Sequence, residues 1–224
     1  MTASTTPEDI EWMMARAAGF HAGFALVGTQ KNLEDNPKTP QLLGLIKLWQ
    51  EASSNRVFTA QQLVRLKDTE NDFHLDKTDT GWKLFPFKKY KFEHVKQVLQ
   101  PGQPTFSEWE FNNSDAPQRF AFALTVLGKE GMIRNPWVEL GGYYKLELPG
   151  DFTVGYSIVC DGEKLKVYNE KGNFNKELPL SKAVPALATG KNALKFDCEF
   201  PKGDDLKIRF IVKCISSPEL IATK

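Results

Sequence analysis

Two stretches of strict alternation near the end of the chain, between residues 191 and 214, most constrain what this sequence can fold into. Apolar residues take every second position there: Leu194, Phe196, Cys198 and Phe200, then Leu206, Ile208, Phe210, Val212 and Cys214. Successive side chains of a strand point to opposite faces, so each stretch has one apolar and one polar face. The turn-rich residues 201–205 separate the two stretches. The pattern predicts a long antiparallel hairpin whose apolar face needs a second layer to cover it.

Similar alternation begins near residue 73 and recurs along the rest of the chain. Turn signals such as Asp79-Thr80-Gly81, Gly141-Gly142 and Asp161-Gly162 separate the alternating stretches at intervals of roughly ten residues. This rhythm is typical of all-β domains. We therefore expect an antiparallel β-sandwich or jelly roll over residues 68–224, beginning with a hairpin around the turn at residues 79–81.

Residues 1–67 have a different period. Three helix starts are predicted, each with a threonine hydroxyl as cap and apolar residues at helical spacing behind it: Thr6, Thr39 and Thr59. Proline follows the threonine in two of them, as Pro7 and Pro40. Residues 20–27 form a continuous apolar run, which predicts a buried strand. The order helix, strand, helix, helix is typical of α/β layering. The expected fold class is therefore α+β, mainly β, with a helical N-terminal part.

Composition excludes several classes of partner. The 224 residues include 29 Lys and Arg against 28 Asp and Glu, a net charge of +1, which predicts neither a nucleic acid nor an anionic membrane as partner. No apolar run approaches the roughly 20 residues of a membrane span, and the first six residues lack the pattern of a signal peptide. The three cysteines lie at the apolar positions of predicted strands, so we expect their thiols to be buried. Buried thiols do not indicate whether the protein works in an oxidising or a reducing compartment.

Several segments resemble a known kind of protein. The stretch Thr6-Pro-Glu-Asp-Ile-Glu-Trp-Met-Met-Ala-Arg-Ala-Ala-Gly-Phe-His-Ala-Gly-Phe-Ala25 resembles the late part of a glycoside-hydrolase-like TIM barrel in large exported proteins of Bacteroidetes. The apolar helix around Leu42 to Trp49 is similar to the helix that ends such barrels. The segments Asn135-Pro-Trp-Val-Glu-Leu, Val159-Cys-Asp-Gly and Lys166-Val-Tyr resemble the β-sandwich that follows the barrel.

The resemblance implies a two-part chain. Residues 1–67 would be a helical remnant of the α/β barrel, and residues 68–224 the following sandwich. The parent would be an exported glycoside hydrolase, and this chain an accessory region that packs on the missing barrel or contacts carbohydrate. Barrel enzymes take catalytic groups from several strand ends, so the resemblance implies no catalysis and no cofactor here. Two alternatives stay open, a complete but atypical glycosidase and a structural protein-interaction module.

Carbohydrate-contact candidates follow from the side chains that such modules use. Aromatic faces stack on sugar rings, and amides and carboxylates bind the hydroxyl groups. Trp137 and Tyr143 flank Gly141-Gly142, and Asn135 and Glu139 lie nearby in the sequence. In a barrel the loop after the first predicted strand would face the active site, which makes Asn32, Glu34 and Asp35 further candidates.

Catalytic and metal sites have weaker signals. A glycosidase usually needs two carboxylates roughly 5 to 9.5 Å apart. Glu108 and Glu110 flank Trp109 on one face of a predicted strand, although alternating acids are typical of a solvent-facing surface. The three histidines are scattered, so we expect no metal-ligand cluster.

Overall fold

Helices occupy the beginning of the chain and strands the rest. The computed structural model describes residues 5–96, 100, 102–180, 182–203 and 205–221. The helices are α1 (Pro7–Gly19), α2 (Gln30–Glu34), α3 (Thr39–Ser54) and α4 (Ala60–Lys67). The strands are β1 (Asp72–Thr78), β2 (Gly81–Val95), β3 (Ser107–Asn113), β4 (Gln118–Arg119), β5 (Ala121–Leu127), β6 (Met132–Leu140), β7 (Tyr144–Glu147), β8 (Asp151–Thr153), β9 (Ser157–Cys160), β10 (Leu165–Tyr168), β11 (Phe174–Leu178), β12 (Ala186–Leu187), β13 (Gly190–Lys202), β14 (Lys207–Ile215) and β15 (Glu219–Ile221).

Internal contacts divide these elements into two units. Unit 1 comprises Met1–Lys88 and Ile215–Lys224, and unit 2 comprises Lys89–Cys214. The boundary predicted near residue 67 falls inside unit 1, between α4 and β1. In the described part of the chain, none of the helices has the length and apolar character needed to cross a membrane.

Local capping explains where the helices of unit 1 begin. The Thr6 hydroxyl accepts from the backbone N–H of Asp9 at 3.2 Å, and the Asp9 carboxylate accepts from the backbone N–H of Thr6 at 2.9 Å. Thr59 forms the same reciprocal pair with Gln62 at the start of α4. These two predicted starts are confirmed. Helix α3 instead begins with Lys38 as its cap residue, which makes no capping bond through its side chain.

A buried carboxylate joins three elements of unit 1. Glu11 on α1 is 2% exposed and accepts from the indole N–H of Trp49 on α3 at 3.3 Å. It also accepts from the backbone N–H of Leu75 on β1 at 3.1 Å and lies 2.9 Å from Nδ1 of His74. Because a buried carboxylate needs several donors, these bonds hold α1 against both α3 and β1.

The predicted hairpin of unit 1 is confirmed. Strand β1 pairs antiparallel with the first part of β2, from Asp72 opposite Phe87 to Thr78 opposite Gly81. Strand β15 adds to β2 on its other side, with Ile221 opposite Trp82. The helices cover this sheet through one apolar core of buried residues: Ile10, Met14, Ala15, Ala18, Leu42, Ile46, Trp49, Ala52, Phe58, Leu66, Phe73, Leu75, Trp82, Leu84 and Ile221.

The predicted strand over residues 20–27 is wrong. This run has no strand assignment, and most of its side chains are exposed, including Phe20 at 63% and Val27 at 95%. A strand requires a neighbour for its backbone N–H and C=O groups, and the sheet of unit 1 is built from β1, β2 and β15 instead. Within the described chain the sheets do not close into barrels, and they show no remnant of the predicted α/β barrel.

Unit 2 confirms the mainly antiparallel β prediction and is β-sandwich-like. Within unit 2, one sheet has the order β2–β14–β5–β9–β10–β11, and β2 takes part in it through its second half, residues 89–95. The other has the order β3–β13–β6–β7, with β8 paired to β6. Buried residues of both sheets form one core, in which Phe196 of β13 and Phe210 of β14 lie 5.6 Å apart between ring centroids. The three predicted buried thiols, Cys160, Cys198 and Cys214, are confirmed as buried.

The predicted hairpin over residues 191–214 is wrong in its pairing, although both strands exist. Strand β13 pairs with β3 and β6, whereas β14 lies beside β5 in the opposite sheet. A hairpin would place both apolar faces on one side of a single sheet. In opposite sheets the two apolar faces pack against each other, so each strand supplies the cover that the other needs.

Candidate functional site

A bulge in β6 decides which side chains reach the outer face of its sheet. Residues 134–137 of β6 lie opposite only residues 197–199 of β13, so β6 carries one extra residue. The burial pattern shifts there, since Ile133 is buried, Arg134 and Asn135 are both exposed, and Pro136 is buried. Without this shift the alternation from Ile133 would turn Trp137 into the core. The bulge therefore places Trp137 on the outer face.

Asn135 holds the bulge in place. Its φ of 46° lies in the left-handed region, which asparagine tolerates better than most residues. Its backbone N–H donates to the Gly150 carbonyl at 2.9 Å, and its side-chain oxygen accepts from the Gly150 N–H at 3.2 Å. Its amide nitrogen donates to Glu199 at 3.4 Å. The Asn135 side chain is therefore engaged in the structure of the strand.

Trp137 is half-buried among charged and aromatic neighbours. Its ring centroid lies 6.3 Å from that of Phe106, and the Lys145 ammonium lies 4.4 Å from the indole centroid. The Lys195 ammonium lies 5.2 Å from the Phe106 centroid and pairs with Glu139 at 3.3 Å. We call this surface the Trp137 face, and it consists of Phe106, Trp137, Glu139, Lys145, Glu147, Lys195 and Asp197.

The strand register adds two carboxylates to the Trp137 face. Trp137 lies directly opposite Asp197 of β13 and Glu147 of β7. Asp197 is held from two sides, because its Oδ2 accepts from the Thr105 hydroxyl at 2.5 Å and its Oδ1 accepts from the backbone N–H of Cys198 at 2.8 Å. The face thus combines an aromatic plane with carboxylates and ammonium groups, which are the groups that bind polyhydroxylated ligands.

Asp197 also belongs to a cluster of a serine, a histidine and an aspartate, which it forms with Ser107 and His94. Nδ1 of His94 lies 2.8 Å from the Ser107 hydroxyl, and Nε2 lies 3.5 Å from Oδ1 of Asp197. These residue types serve nucleophilic catalysis in other proteins. Here the imidazole is 1% exposed and packs between Phe196 and Phe200, at centroid distances of 5.2 and 5.6 Å.

Burial also sets the charge of this histidine. Desolvation lowers the pKa of His94, and the nearby Asp197 carboxylate opposes that shift only in part. Because the ring is neutral near pH 7 and enclosed, a substrate in solvent cannot reach it to exchange a proton, and we interpret the cluster as part of the packed interior. Sequence reasoning missed it, because its members lie on three different strands and Asp197 is distant in the chain from the other two.

The other predicted contacts of unit 2 lie apart from this cluster. Tyr143 is 68% exposed in the turn between β6 and β7, where its ring lies over Gly141. Gly141 has a φ of 63° and no room for a Cβ, so glycine is required under this ring. Of the four predicted contact residues in this region, Trp137 and Glu139 share the outer face of β6.

The loop candidates Asn32, Glu34 and Asp35 belong to unit 1. The backbone N–H of Asn32 donates to the Thr29 hydroxyl at 3.2 Å, which caps the short helix α2. Glu34 accepts from the Gln30 side chain at 2.6 Å, and Asp35 is the C-cap residue. All three side chains are exposed. Their role in contacting a ligand stays a prediction.

Unit 1 also has a cavity of about 360 Å³ beside the end of α1. Buried Met14 and Trp49 lie at its apolar side, and Gln50 and Ser53 of α3 at its polar side. The exposed segment that includes Phe24 forms another wall. Among the described residues that line the cavity none carries a charged or metal-binding side chain, so they offer no acid–base chemistry.

The acid pair considered for glycoside hydrolysis lies on the solvent-exposed side of β3. Glu108 and Glu110 are exposed on β3, and Glu110 pairs with Lys191 at 2.8 Å. Trp109 between them turns inward and stacks on Phe92 at a centroid distance of 4.9 Å. Neither acid lies in the apolar surroundings that keep a catalytic carboxyl group protonated.

The chemistry of the described residues therefore centres on the Trp137 face. Among them, no three His, Cys, Asp or Glu side chains are grouped so that they could hold a metal ion. Comparison of the sequence with protein-family models and with curated proteins gives no match.

Proposed function

We propose that this chain is a non-catalytic accessory region of a glycan-processing protein and that it contacts carbohydrate through the Trp137 face. The observation that carries the proposal is the placement of Trp137 by the β6 bulge, on an outer sheet face where Phe106 lies 6.3 Å away. The resemblance of residues 6–25 and 135–140 to glycoside-hydrolase-like proteins supports the same class of ligand and implies the parent enzyme or its barrel as a partner.

The physical basis is the match between this face and a pyranose ring. A sugar ring has an apolar side formed by axial C–H groups, which packs on an aromatic plane, and a rim of hydroxyl groups. On this face the rim would meet Glu139, Asp197 and Glu147, which accept hydrogen bonds. Lys145 covers one side of the indole and is exposed, so a stacking sugar displaces its ammonium at modest cost.

The non-catalytic part of the proposal rests on the acids of unit 2. Glu108 and Glu110 are exposed, and His94, the histidine beside Ser107, is enclosed in the core. Turnover of aryl glycosides by the purified chain, lost in Glu108→Gln, would instead favour the alternative of an atypical glycosidase.

Affinity electrophoresis tests the proposal directly. The full chain is run in native gels that contain soluble plant or host polysaccharides, and we expect retardation by at least one of them. Trp137→Ala should weaken binding about fivefold or more, since truncating an aromatic anchor costs more than about 1 kcal/mol. Trp137→Phe should retain part of the affinity because it keeps an aromatic plane.

A matched control distinguishes binding at the Trp137 face from non-specific binding by exposed aromatic side chains. Phe174 on β11 is an aromatic residue of the same unit that is 58% exposed, and Phe174→Ala should leave retardation unchanged. Equal loss in both variants, or mobility unaffected by every glycan, would contradict a carbohydrate function and favour the protein-interaction alternative.

A further inference from the structure

The position of Trp137 between two acids bears on which sugars it would accept. Asp197 and Glu147 occupy the positions directly opposite Trp137 on the two neighbouring strands. Directly opposite side chains share a face, with Cβ atoms about 4.5–5.5 Å apart. A carboxylate therefore flanks the indole on each of the two neighbouring strands.

The charges of the Trp137 face do not cancel. It carries three carboxylates, of Glu139, Glu147 and Asp197, and two ammonium groups, of Lys145 and Lys195. The pair between Lys195 and Glu139, at 3.3 Å, neutralises one carboxylate. His94 behind Asp197 adds no compensating charge near neutral pH, because burial lowers the pKa of its ring.

A cation already occupies the centre of this arrangement. The Lys145 ammonium lies 4.4 Å from the Trp137 centroid, within the range of a cation–π contact. The side chain reaches this position from β7, where Lys145 is exposed. The indole and its two flanking acids therefore form a place that accepts an ammonium group, and the flexible lysine can leave it.

We infer that the Trp137 face selects glycans that carry free amino groups, of the glucosamine type, over N-acetylated and acidic glycans. This inference rests on the proposed function, because it names the ligand class of the same site. The ammonium group of the sugar takes the place of Lys145 over the indole, and its ring packs against the aromatic surface. Asp197 and Glu147 attract the ammonium group and repel the carboxylates of uronic acids.

Isothermal titration of the full chain with three matched oligosaccharides tests this selectivity. We use hexamers of glucosamine, N-acetylglucosamine and galacturonic acid at low salt. The glucosamine hexamer should bind up to about fivefold more tightly than the N-acetylated one, since an exposed ion pair contributes up to about 1 kcal/mol. The galacturonic acid hexamer should show no binding.

Variants separate charge recognition from stacking. Glu147→Gln, at an exposed position, should lower affinity for the glucosamine hexamer about threefold to fivefold and should lower affinity for the N-acetylated hexamer by a smaller factor. Lys145→Met removes the internal competitor and should strengthen binding of the glucosamine hexamer. Asp197→Asn provides a second test of the flanking charge, with its circular dichroism and melting temperature checked against the wild-type protein.

The possible failures are distinguishable. Equal or tighter binding of the N-acetylated hexamer that is still lost in Trp137→Ala would overturn the amino-sugar selectivity and retain the proposed function. An oligolysine of equal charge that binds as tightly as the glucosamine hexamer would also overturn the inference, because the face would then recognise ammonium charge alone. Absence of binding for all three hexamers would overturn the inference, whereas the proposed function would be overturned only if no polysaccharide retards the chain in the native gels.

Discussion

Phe196 and Phe210 face each other across the core of unit 2, with ring centroids 5.6 Å apart, although they belong to consecutive strands of the chain. Both side chains are fully buried, and both contact Trp109. The turn between β13 and β14 thus carries the chain from one sheet to the other. The contact between these two rings joins the two layers of the sandwich.

Truncating this contact should destabilise unit 2 strongly. Phe210→Ala removes a fully buried ring from the interface between the sheets, and we expect a loss of about 3–5 kcal/mol in the free energy of unfolding. Urea unfolding followed by circular dichroism measures the loss. Phe174→Ala, at a position that is 58% exposed, should cost less than about 0.5 kcal/mol. A similar small cost for Phe210→Ala would contradict the assigned core.

Acid should weaken unit 2 through His94. Because burial lowers the pKa of His94 below its ordinary value of 6.5, folding favours the neutral ring. Its contribution to stability is therefore complete above pH 6.5 and is lost as the pH falls through the lower pKa of the folded state, by about 1.4 kcal/mol for each pH unit between the two pKa values.

Urea midpoints measured from pH 7.5 down to pH 4.5 test this dependence. His94→Gln should flatten the curve over the range below pH 6.5. His21→Asn is the control, because His21 is exposed with a φ of 52° that asparagine tolerates. An unchanged slope in His94→Gln would show that other groups cause the loss. Asp151 and Asp161, whose pKa values are lowered in the fold, contribute only at more acidic pH.

Removing the buried carboxylate of unit 1 should loosen α1. Glu11→Ala leaves the indole N–H of Trp49 and the backbone N–H of Leu75 without their acceptor, and we expect a cost of about 2–4 kcal/mol. Fluorescence-detected urea unfolding gives the cost, and hydrogen exchange should accelerate at the Leu75 amide. Glu70→Ala, at an exposed position, serves as the control and should change neither measurement.

The three thiols should resist modification in the folded chain. Burial raises the pKa of both Cys160 and Cys198, which disfavours the reactive thiolate, and Cys214 is also buried. Iodoacetamide at pH 7.5 should label none of them in native protein and all three in denaturant, as counted by mass spectrometry. Rapid native labelling of any one thiol would show that its strand opens readily.

Much of the local structure could be predicted from the sequence, since it depends on neighbours in the chain. The caps at Thr6 and Thr59 are satisfied within three residues, and period-two alternation identified β13 and β14 as strands. Two residues of the Trp137 face, Trp137 and Glu139, were carbohydrate-contact candidates from the sequence, and that role stays a prediction. Phe106, Lys145 and Asp197 were missed, because they reach Trp137 from other parts of the chain through contacts that no local pattern specifies.

The sequence by itself determined where α1 and α4 begin, which stretches alternate and which side chains prefer burial, because capping and side-chain period act over a few residues. Tertiary structure decided three further points. It placed β13 and β14 in opposite sheets, left residues 20–27 exposed, and turned Trp137 outward through a bulge at Asn135. Each of these depends on which strand supplies the pairing backbone and which face is covered, and both are set by residues distant in the chain.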